Sequence, residues 1–441
     1  MDQARITDIV QNWMIPTAEG AYMAGLETKP VIVSAKGSTM TDANGKTYLD
    51  FQSGQMGAAL GHNHPTIAKS IRHSLETIVH SSNQMLNGPR LELHEKLGRI
   101  AAPLTRSLFL VSGSDSIEGT VDLARKATGG TEILGLHDSL HGSTSFVSRS
   151  LSFGWNRSKH TVVAPATSSI LTPYCYRCPL KMTFPGCGYQ CLSASMELAD
   201  ANFAGKPAAA IAEPILSAGG LITPPPGYFV ALKKACAERG MLLIFDEAQT
   251  GLGKTGKMFA WQHEGVTPDI MALSKHFGGG LPISAVCTTT EVAGRAVANG
   301  FFATRSHATD PILCAAGAAS LDVIIDEDLC GRAAAIEKRM KTAFTAMQKD
   351  VPQVGDIRGR GVLLGVEIVE DPETRVPANR KAKFIERRCL ERGLIIQTRG
   401  SHGRANVIRF VPPMSTSDAE IDQGLQIFDE VLREAVGRND L

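Results

Sequence analysis

Two residues that follow predicted buried strands could do chemistry together. Ser274 and Lys275 close the apolar run 268–273, and Asp246 closes the apolar run 241–245. A lysine at the edge of a dry pocket can lose its proton near neutral pH and attack an aldehyde, although a solvated lysine is the plainer explanation of this residue alone. A carboxylate that ends a buried strand needs a cationic partner, which could be a protein side chain or a protonated ring nitrogen.

Two further polar segments follow predicted strands and could hold a ligand. Ser112, Gly113 and Ser114 lie between a strand and a helix. Small residues let the backbone approach a ligand closely, and the free N–H groups of a helix start attract an anion such as a phosphate. An ordinary capped helix explains the same residues. Leu140 and His141 follow the next strand along the chain.

An alternation of strands and helices predicts the frame that would hold these segments. It implies an α/β fold, with a mostly parallel sheet covered by helices on both faces. In such sheets, ligands collect at the carboxyl ends of the strands. The predicted strands are 107–111, 132–136, 208–213, 242–246, 270–274 and 285–288, with helices that include 116–127 and 228–239.

A change of pattern after about residue 318 predicts a second, smaller α+β unit. At 441 residues the chain exceeds the size at which one core usually stops growing. We expect an N-terminal segment, 1–55, that packs with the small domain, a large cofactor-binding domain, 56–318, and a small C-terminal domain, 319–441. The predicted elements of the small domain are a long helix over 322–349, strands at 362–368, 394–397 and 407–411, and a helix over 417–436.

The composition argues against nucleic-acid and membrane partners. The formal net charge is +1, so no field of one sign would attract a polyanion. No apolar run reaches the roughly 18 residues that span a bilayer, and residues 1–16 mix charged and apolar residues, unlike a secretion signal. We therefore expect a cytoplasmic protein.

Four of the nine cysteines form a cluster in the sequence. Cys175, Cys178, Cys187 and Cys191 have the spacing C-x2-C-x8-C-x3-C. This spacing could hold zinc or an iron–sulfur cluster, or could stiffen a turn-rich loop. Because the second pair lacks the usual zinc-knuckle spacing, we expect no metal.

Taken together, the polar segments resemble the class III aminotransferases, which are pyridoxal-phosphate (PLP) enzymes of fold type I. The likeness covers nearly the whole chain, and its most specific feature is the separation of 29 residues between Asp246 and Lys275. Within the family, the chain is most similar to the 2,2-dialkylglycine decarboxylases. The matching segments include 48–50, 61–65, 213–214, 246–251 and 274–275 for the family, and 53–56, 215–217 and 358–361 for the decarboxylases.

The resemblance implies a cofactor-binding role for several residues. Lys275 would bind PLP covalently and later move protons, while Asp246 would pair with the ring nitrogen. Gln249 would contact the ring hydroxyl. Ser306 takes the place of a threonine that reaches the phosphate of the other subunit, which implies a homodimer or a dimer of dimers. The phosphate and ring would also be held by Ser112, Gly113, Ser114, Leu140 and His141.

The resemblance also implies how substrates bind. Arg409 would clamp a substrate carboxylate, with Glu213 as its neighbour, and Gln55 would hold a carboxylate perpendicular to the ring. Leu140 departs from the family's aromatic residue, and Ser143 from a larger apolar residue of the decarboxylases. We therefore expect an amino acid or amine donor and an α-keto acid acceptor such as pyruvate, with loss of carbon dioxide as an alternative to loss of a proton.

Two other classes of function fit parts of the sequence. The run 251–256 matches G-x-G-x-x-G, as in nicotinamide-dependent dehydrogenases, but 247–250 separate it from the strand and no clear helix opens on it. The second alternative is a catalytically inactive relative of the aminotransferases that acts as a binding module. Because Lys275, Asp246 and Arg409 are all retained, we favour the aminotransferase.

Overall fold

The secondary structure is defined for residues 3–14, 29–144, 146–154, 164–438 and 440–441 in a computed structural model. The strands are β1 (Ile32–Lys36), β2 (Thr39–Asp42), β3 (Thr47–Asp50), β4 (Arg106–Leu110), β5 (Glu132–Leu136), β6 (Thr167–Ile170), β7 (Pro207–Ala212), β8 (Leu242–Asp246), β9 (Ile270–Leu273), β10 (Ser284–Thr288), β11 (Val354–Arg360), β12 (Leu363–Ile368), β13 (Leu394–Ile395), β14 (Gln397–Arg399) and β15 (Val407–Phe410). The helices are Gln3–Asn12, Pro65–Thr77, Gly88–Ile100, Gly113–Thr128, Phe146–Ser150, Gln190–Asn202, Tyr228–Ala237, Trp261–Glu264, Thr290–Ala298, Pro311–Asp326, Leu329–Asp350, Asn379–Glu391 and Asp418–Val436.

Seven strands form the central sheet, in the order β4-β10-β9-β8-β7-β5-β6. The strands from β9 to β6 in this order pair in parallel, whereas β10 is antiparallel to both of its neighbours. Every residue of β8 and β9 is buried, as expected where helices cover both faces of a parallel sheet. Since β8 and β9 are adjacent and parallel, their carboxyl ends lie side by side.

Successive residues of β8 point to opposite faces of this sheet. Ile244 packs in an apolar cluster with Val121 of helix Gly113–Thr128. Phe245 packs in a second cluster, with Leu232 of helix Tyr228–Ala237. Helices therefore lie on both faces, and the predicted α/β fold class is confirmed.

Two four-stranded sheets complete the fold, in the orders β1-β2-β3-β13 and β11-β12-β15-β14. The first joins the two ends of the chain, because β3 pairs in parallel with β13. The predicted strand 394–397 is two strands, since the chain leaves one sheet after β13 and enters the other at β14. The predicted domain boundaries at residues 55 and 318 stay predictions. Residue 318 lies inside helix Pro311–Asp326.

The predicted long helix over 322–349 is two helices. The first begins at Pro311, a residue suited to a first helical turn, and ends at Asp326. Asp328 has a left-handed φ of 44° and accepts a hydrogen bond from the Gly331 N–H at 3.1 Å, so it caps the second helix. Of the helices in the described ranges, none is long and apolar enough to cross a membrane.

Candidate active site

A cavity of about 890 Å³ lies at the carboxyl ends of the central strands. It is closed on its other side by residues 398–405 and by Arg409 of β15. All the predicted site residues except Glu213 and Ser306 line it, so the structure brings together residues that are hundreds of positions apart. These lining residues are Gln55, Ser112, Gly113, Ser114, Leu140, His141, Asp246, Gln249, Lys275 and Arg409.

One end of the cavity is formed by the start of helix Gly113–Thr128. Ser112 is its N-cap and accepts a hydrogen bond from the Asp115 N–H at 3.2 Å. A Cβ added at Gly142 would lie 2.3 Å from the Ser114 Oγ, and one added at Gly113 would lie 3.3 Å from the Ser274 Oγ. The backbone is therefore packed too closely for larger residues, and the helix start can hold an anion such as a phosphate.

Asp246 presents a buried carboxylate at the end of β8. Its Oδ2 lies 2.8 Å from the Nδ1 of the buried His141, and its Oδ1 accepts a hydrogen bond from the Ala248 N–H at 3.0 Å. These contacts fix the orientation of the carboxylate at the cavity wall. The arrangement suits a cationic ring nitrogen, because a buried charge is costly until a partner of opposite charge meets it.

Lys275 begins a short 3-10 turn and has a left-handed φ of 60°. Burial lowers the pKa of its amine to about 8, and the positive charges of Arg409 and Arg399 contribute in the same direction. Asp246 and Glu213 oppose this shift. About a tenth of such amines are neutral at pH 7, so Lys275 can act as a nucleophile there.

Glu213 lies behind the cavity wall. Its carboxyl group accepts hydrogen bonds from the backbone N–H of Leu140, at 2.8 Å, and of Ser217, at 3.3 Å. Burial and the nearby charge of Asp246 raise the pKa of Glu213 well above its usual range. These contacts brace the two loops that carry Leu140 and Ser217.

Gln249 offers a hydrogen-bond acceptor to the cavity. Its Oε1 is buried, and no protein group within the described ranges donates a hydrogen bond to it. Leaving a buried amide oxygen unsatisfied is costly. A ligand hydroxyl at this position would satisfy it, which fits the ring hydroxyl of PLP.

On the side of the cavity formed by β14 and β15, the sequence analysis missed Arg399. Arg409 donates hydrogen bonds to the Gln397 Oε1, at 3.0 Å, and to the Ser217 Oγ, at 3.3 Å. Arg399 also lines the cavity and donates to the same Gln397 Oε1. The sequence carries no local signal for Arg399, because Arg399 comes close to Arg409 only through the pairing of β14 with β15.

Gln55 reaches the cavity from a turn of unusual backbone conformation. Ser53, Gly54, Gln55 and Met56 all have positive φ values, of 50°, 52°, 57° and 71°. The carboxylate of Asp50 supports this turn by accepting the Gly54 N–H at 2.7 Å. Left-handed non-glycine residues each cost roughly 1–2 kcal/mol, and such strain clusters at functional sites.

Ser306 is exposed and lies outside its own chain's cavity. The segment that carries Ser306 contacts residues 83–87, because the Asn83 side chain donates a hydrogen bond to the Thr304 Oγ1 and the Asn87 side chain donates one to the Thr309 carbonyl at 3.1 Å. Several large apolar side chains near these two segments are exposed. We call this surface the apolar face. It consists of Leu75, Ile78, Val79, Met85, Leu86, Leu91 and Phe302.

The four clustered cysteines line a separate small cavity. They are free thiols, and among the described side chains no three of them bring their sulfur atoms within 4.8 Å of one another. Such proximity does occur at His80, His307 and Asp310, where each histidine Nδ1 lies within hydrogen-bond distance of the aspartate, at 2.6 and 2.8 Å. The absence of a bound metal stays a prediction.

The lowered pKa of Lys275 predicts how its reactivity depends on pH. In protein freed of cofactor, the rate of reductive alkylation of Lys275 should rise with pH and level off above a midpoint near pH 8. Arg409→Met should move this midpoint upward by about half a pH unit or more, because it removes a charge that disfavours the ammonium form. Peptide mass spectrometry measures the labelling, with the exposed Lys234 as internal reference. An identical midpoint in both proteins would contradict this account.

Comparison with known proteins identifies the family. The family model of the class III aminotransferases matches residues 22–432. An uncharacterised aminotransferase of Schizosaccharomyces pombe is 36% identical, with 91% of this chain and 90% of the relative covered. A leucine/methionine racemase of Thermococcus litoralis is 33% identical over 91% and 90% of the two chains. A solved Bacillus anthracis aminotransferase superposes with a TM-score of 0.89, at 26% identity over 98% of each chain. The chain therefore belongs to the class III aminotransferases, which are PLP-dependent enzymes.

Proposed function

We propose that the protein transfers an amino group from an amino acid or amine donor to an α-keto acid such as pyruvate. The observation that carries this proposal is the position of Lys275 and Asp246 at the ends of the adjacent strands β9 and β8, on the wall of one cavity. A buried amine of lowered pKa and a fixed carboxylate are the two groups that PLP chemistry needs. The composition supports a cytoplasmic location, which cell fractionation tests.

The residues around the cavity fit PLP. Gly113 and Ser114 would hold the phosphate at the helix start, Asp246 the ring nitrogen, and the buried Oε1 of Gln249 the ring hydroxyl. Once bound, PLP supplies an aldehyde carbon and an electron-withdrawing ring that accepts the electron pair of the bond broken at the donor. Lys275 would hold the cofactor and then, as a free amine, carry a proton away from the donor carbon.

Two residues would orient the donor. Arg409 is buried, and its guanidinium can bind a substrate carboxylate in the plane of the ring through two hydrogen bonds. Gln55 can donate a weaker hydrogen bond to a carboxylate lying out of that plane. A monosubstituted amino acid would bind Arg409 through its carboxylate and lose its α-proton to Lys275. A disubstituted donor would place its carboxylate at Gln55 and lose carbon dioxide.

We further propose that the active unit is a homodimer or a dimer of dimers. The apolar face has several large side chains that are more than half exposed, including Phe302 at 79% and Leu86 at 72%. Contiguous exposed apolar surface marks association sites in soluble proteins. A second copy packed on this face would bring Ser306 towards the phosphate end of its partner's cavity.

The central test replaces the proposed cofactor lysine. Lys275→Ala should lower amino transfer to pyruvate by about a thousandfold or more and remove the absorbance band at about 410–430 nm, because the protein loses its covalent anchor and its proton carrier. Lys234→Ala, on the surface, is the matched control. Retention of the band after borohydride treatment and dialysis would contradict the assignment. Racemisation of donors without transfer, the activity in the Thermococcus relative's name, would contradict the proposed reaction.

A substitution at Gln55 tests whether this residue directs the donor to lose carbon dioxide rather than a proton. Gln55→Ala should lower carbon dioxide release from α,α-disubstituted amino acids by about 10-fold to 100-fold, since it removes one hydrogen bond to a charged group. Transamination of monosubstituted amino acids should change by less than about threefold. Gln52→Ala, in the same segment but outside the cavity lining, is the control. Equal loss in both reactions, or no carbon dioxide from any disubstituted donor, would favour an ordinary aminotransferase.

The dimer is tested at Ser306. Ser306→Ala should weaken PLP retention about tenfold through loss of one hydrogen bond to the phosphate, while the sedimentation coefficient stays that of a dimer. Ser193→Ala, which removes an exposed hydroxyl on helix Gln190–Asn202, should change neither measurement. A fully active monomer in dilute solution would contradict the proposal.

A further inference from the structure

The glycine-rich run 251–256, which matches G-x-G-x-x-G, folds as a tight turn in the interior of the protein. It carries Lys254, whose side chain is fully buried. The turn packs closely against Gly361, since a Cβ added at Gly361 would lie 2.0 Å from the Lys254 carbonyl oxygen. The Val362 N–H donates a hydrogen bond to the same oxygen at 2.8 Å. These contacts hold the backbone of Lys254 in place.

Both ring nitrogens of the buried His276 contact this turn. The Nε2 lies 2.9 Å from the Leu252 carbonyl oxygen, and the Nδ1 lies 2.7 Å from the Lys254 Nζ. Burial, with the positive charge of Lys254, holds the pKa of His276 well below its usual range, so the imidazole is neutral. A carbonyl oxygen only accepts, so the Nε2 carries the hydrogen and the Nδ1 accepts a hydrogen bond from Lys254. The turn therefore fixes the position and the tautomer of the ring.

The amine of Lys254 is able to donate to His276 whatever its charge. Burial holds the pKa of Lys254 well below its usual range; the charge of Glu247 opposes this shift, and that of Lys275 adds to it. The carboxylate of Glu247 accepts hydrogen bonds from two backbone N–H groups. An amine and an ammonium group both carry N–H donors, so the hydrogen bond to the Nδ1 persists in either state.

His276 directly follows Lys275, whose backbone is strained. Lys275 has a left-handed φ of 60°, which residues with a Cβ disfavour. On the other side of Lys275, the Ser274 side chain packs against the start of a helix, where a Cβ added at Gly113 would lie 3.3 Å from the Ser274 Oγ. A strained conformation persists only where the surrounding contacts impose it. The hold on His276 therefore helps to decide the direction in which the Lys275 side chain leaves the backbone.

We infer that Lys254 is a positioning residue for Lys275 and that it acts through His276. This inference rests on the proposed function, in which Lys275 is the reactive amine. The hydrogen bond from Lys254 keeps the His276 ring in one orientation. The ring in turn holds the backbone that follows Lys275, and the Lys275 amine stays directed into the cavity.

Three roles of Lys254 give three different pH profiles for the labelling of Lys275. Lys254→Met keeps the length of the side chain and removes its N–H donors. If Lys254 positions Lys275, the rate reached above the midpoint falls. If Lys254 acts only by its charge, the midpoint moves upward and the rate above it is unchanged. If Lys254 only fills space, the whole profile is unchanged.

The experiment measures reductive alkylation of Lys275 by acetaldehyde and cyanoborohydride in cofactor-free protein, between about pH 6 and about pH 10. The exposed Lys234 is the internal reference. Lys254→Met should lower the rate above the midpoint about fivefold to tenfold, through loss of one hydrogen bond. The matched control is Lys96→Met, which removes a part-buried ammonium group bonded to Asp322 at 2.6 Å and should leave the profile unchanged. An unchanged rate in Lys254→Met, whatever its midpoint, would overturn the inference.

A double-mutant cycle shows whether the effect passes through His276. His276→Phe removes both ring contacts and should lower the rate by a similar factor. Adding Lys254→Met to His276→Phe should then change the rate by less than about twofold, because the contact is already lost. Losses that multiply would mean that Lys254 acts by another route, and would overturn the inference.

Two substitutions of His276 decide the matter if Lys254→Met does not fold. The amide of His276→Asn can take the place of the Nδ1 and keep the contact with Lys254, whereas the longer amide of His276→Gln can keep the contact with Leu252. His276→Asn should retain the higher rate, by about threefold or more; equal rates or the reverse order would overturn the inference. The measurement needs neither PLP nor turnover, so a failure to detect amino transfer is a separate result.

Discussion

The site depends on the cost of keeping a charged amine buried beside two guanidinium groups. Burial of Lys275, with the charges of Arg409 and Arg399, holds its pKa near 8. Asp246 acts in the opposite direction, but its carboxylate is already oriented by His141. Burial is the larger cause of the lowered pKa, and the two arginines of the sheet that carries β15 add to it at the edge of the central sheet.

The sequence predicted that Asp246 and Lys275 lie at one edge of the sheet, because each of these positions depends on local features. Asp246 and Lys275 each follow a buried apolar run, and parallel strands bring such ends together without any knowledge of distant contacts. The substrate side could not be predicted to the same depth. Arg399 is beside Arg409 only because β14 pairs with β15 in one particular register. Periodicity within a segment gives the face of a side chain, but not its cross-strand neighbour.

The turn at residues 53–56 was beyond prediction for a different reason. Ser53, Gln55 and Met56 adopt left-handed conformations that their residue types disfavour, so local propensity predicts the opposite. Tertiary contacts hold the turn, through Asp50 and through the hydrogen bond from the Ser53 Oγ to the Val411 carbonyl. A strained turn that survives at the cavity wall argues that the position of Gln55 is itself under constraint.

These two sides of the cavity differ in what fixes them. The end proposed to bind the phosphate is defined by close packing, where a Cβ at Gly142 would clash with Ser114. Few substitutions are sterically allowed there, so the cofactor geometry can persist while the rest of the sequence changes. The end proposed to bind the substrate is defined by side chains on β14, on β15 and in the turn at 53–56. Membership of the family therefore identifies the cofactor, whereas the preferred substrate follows from the charges and hydrogen-bond donors that Gln55, Arg399 and Arg409 place opposite it.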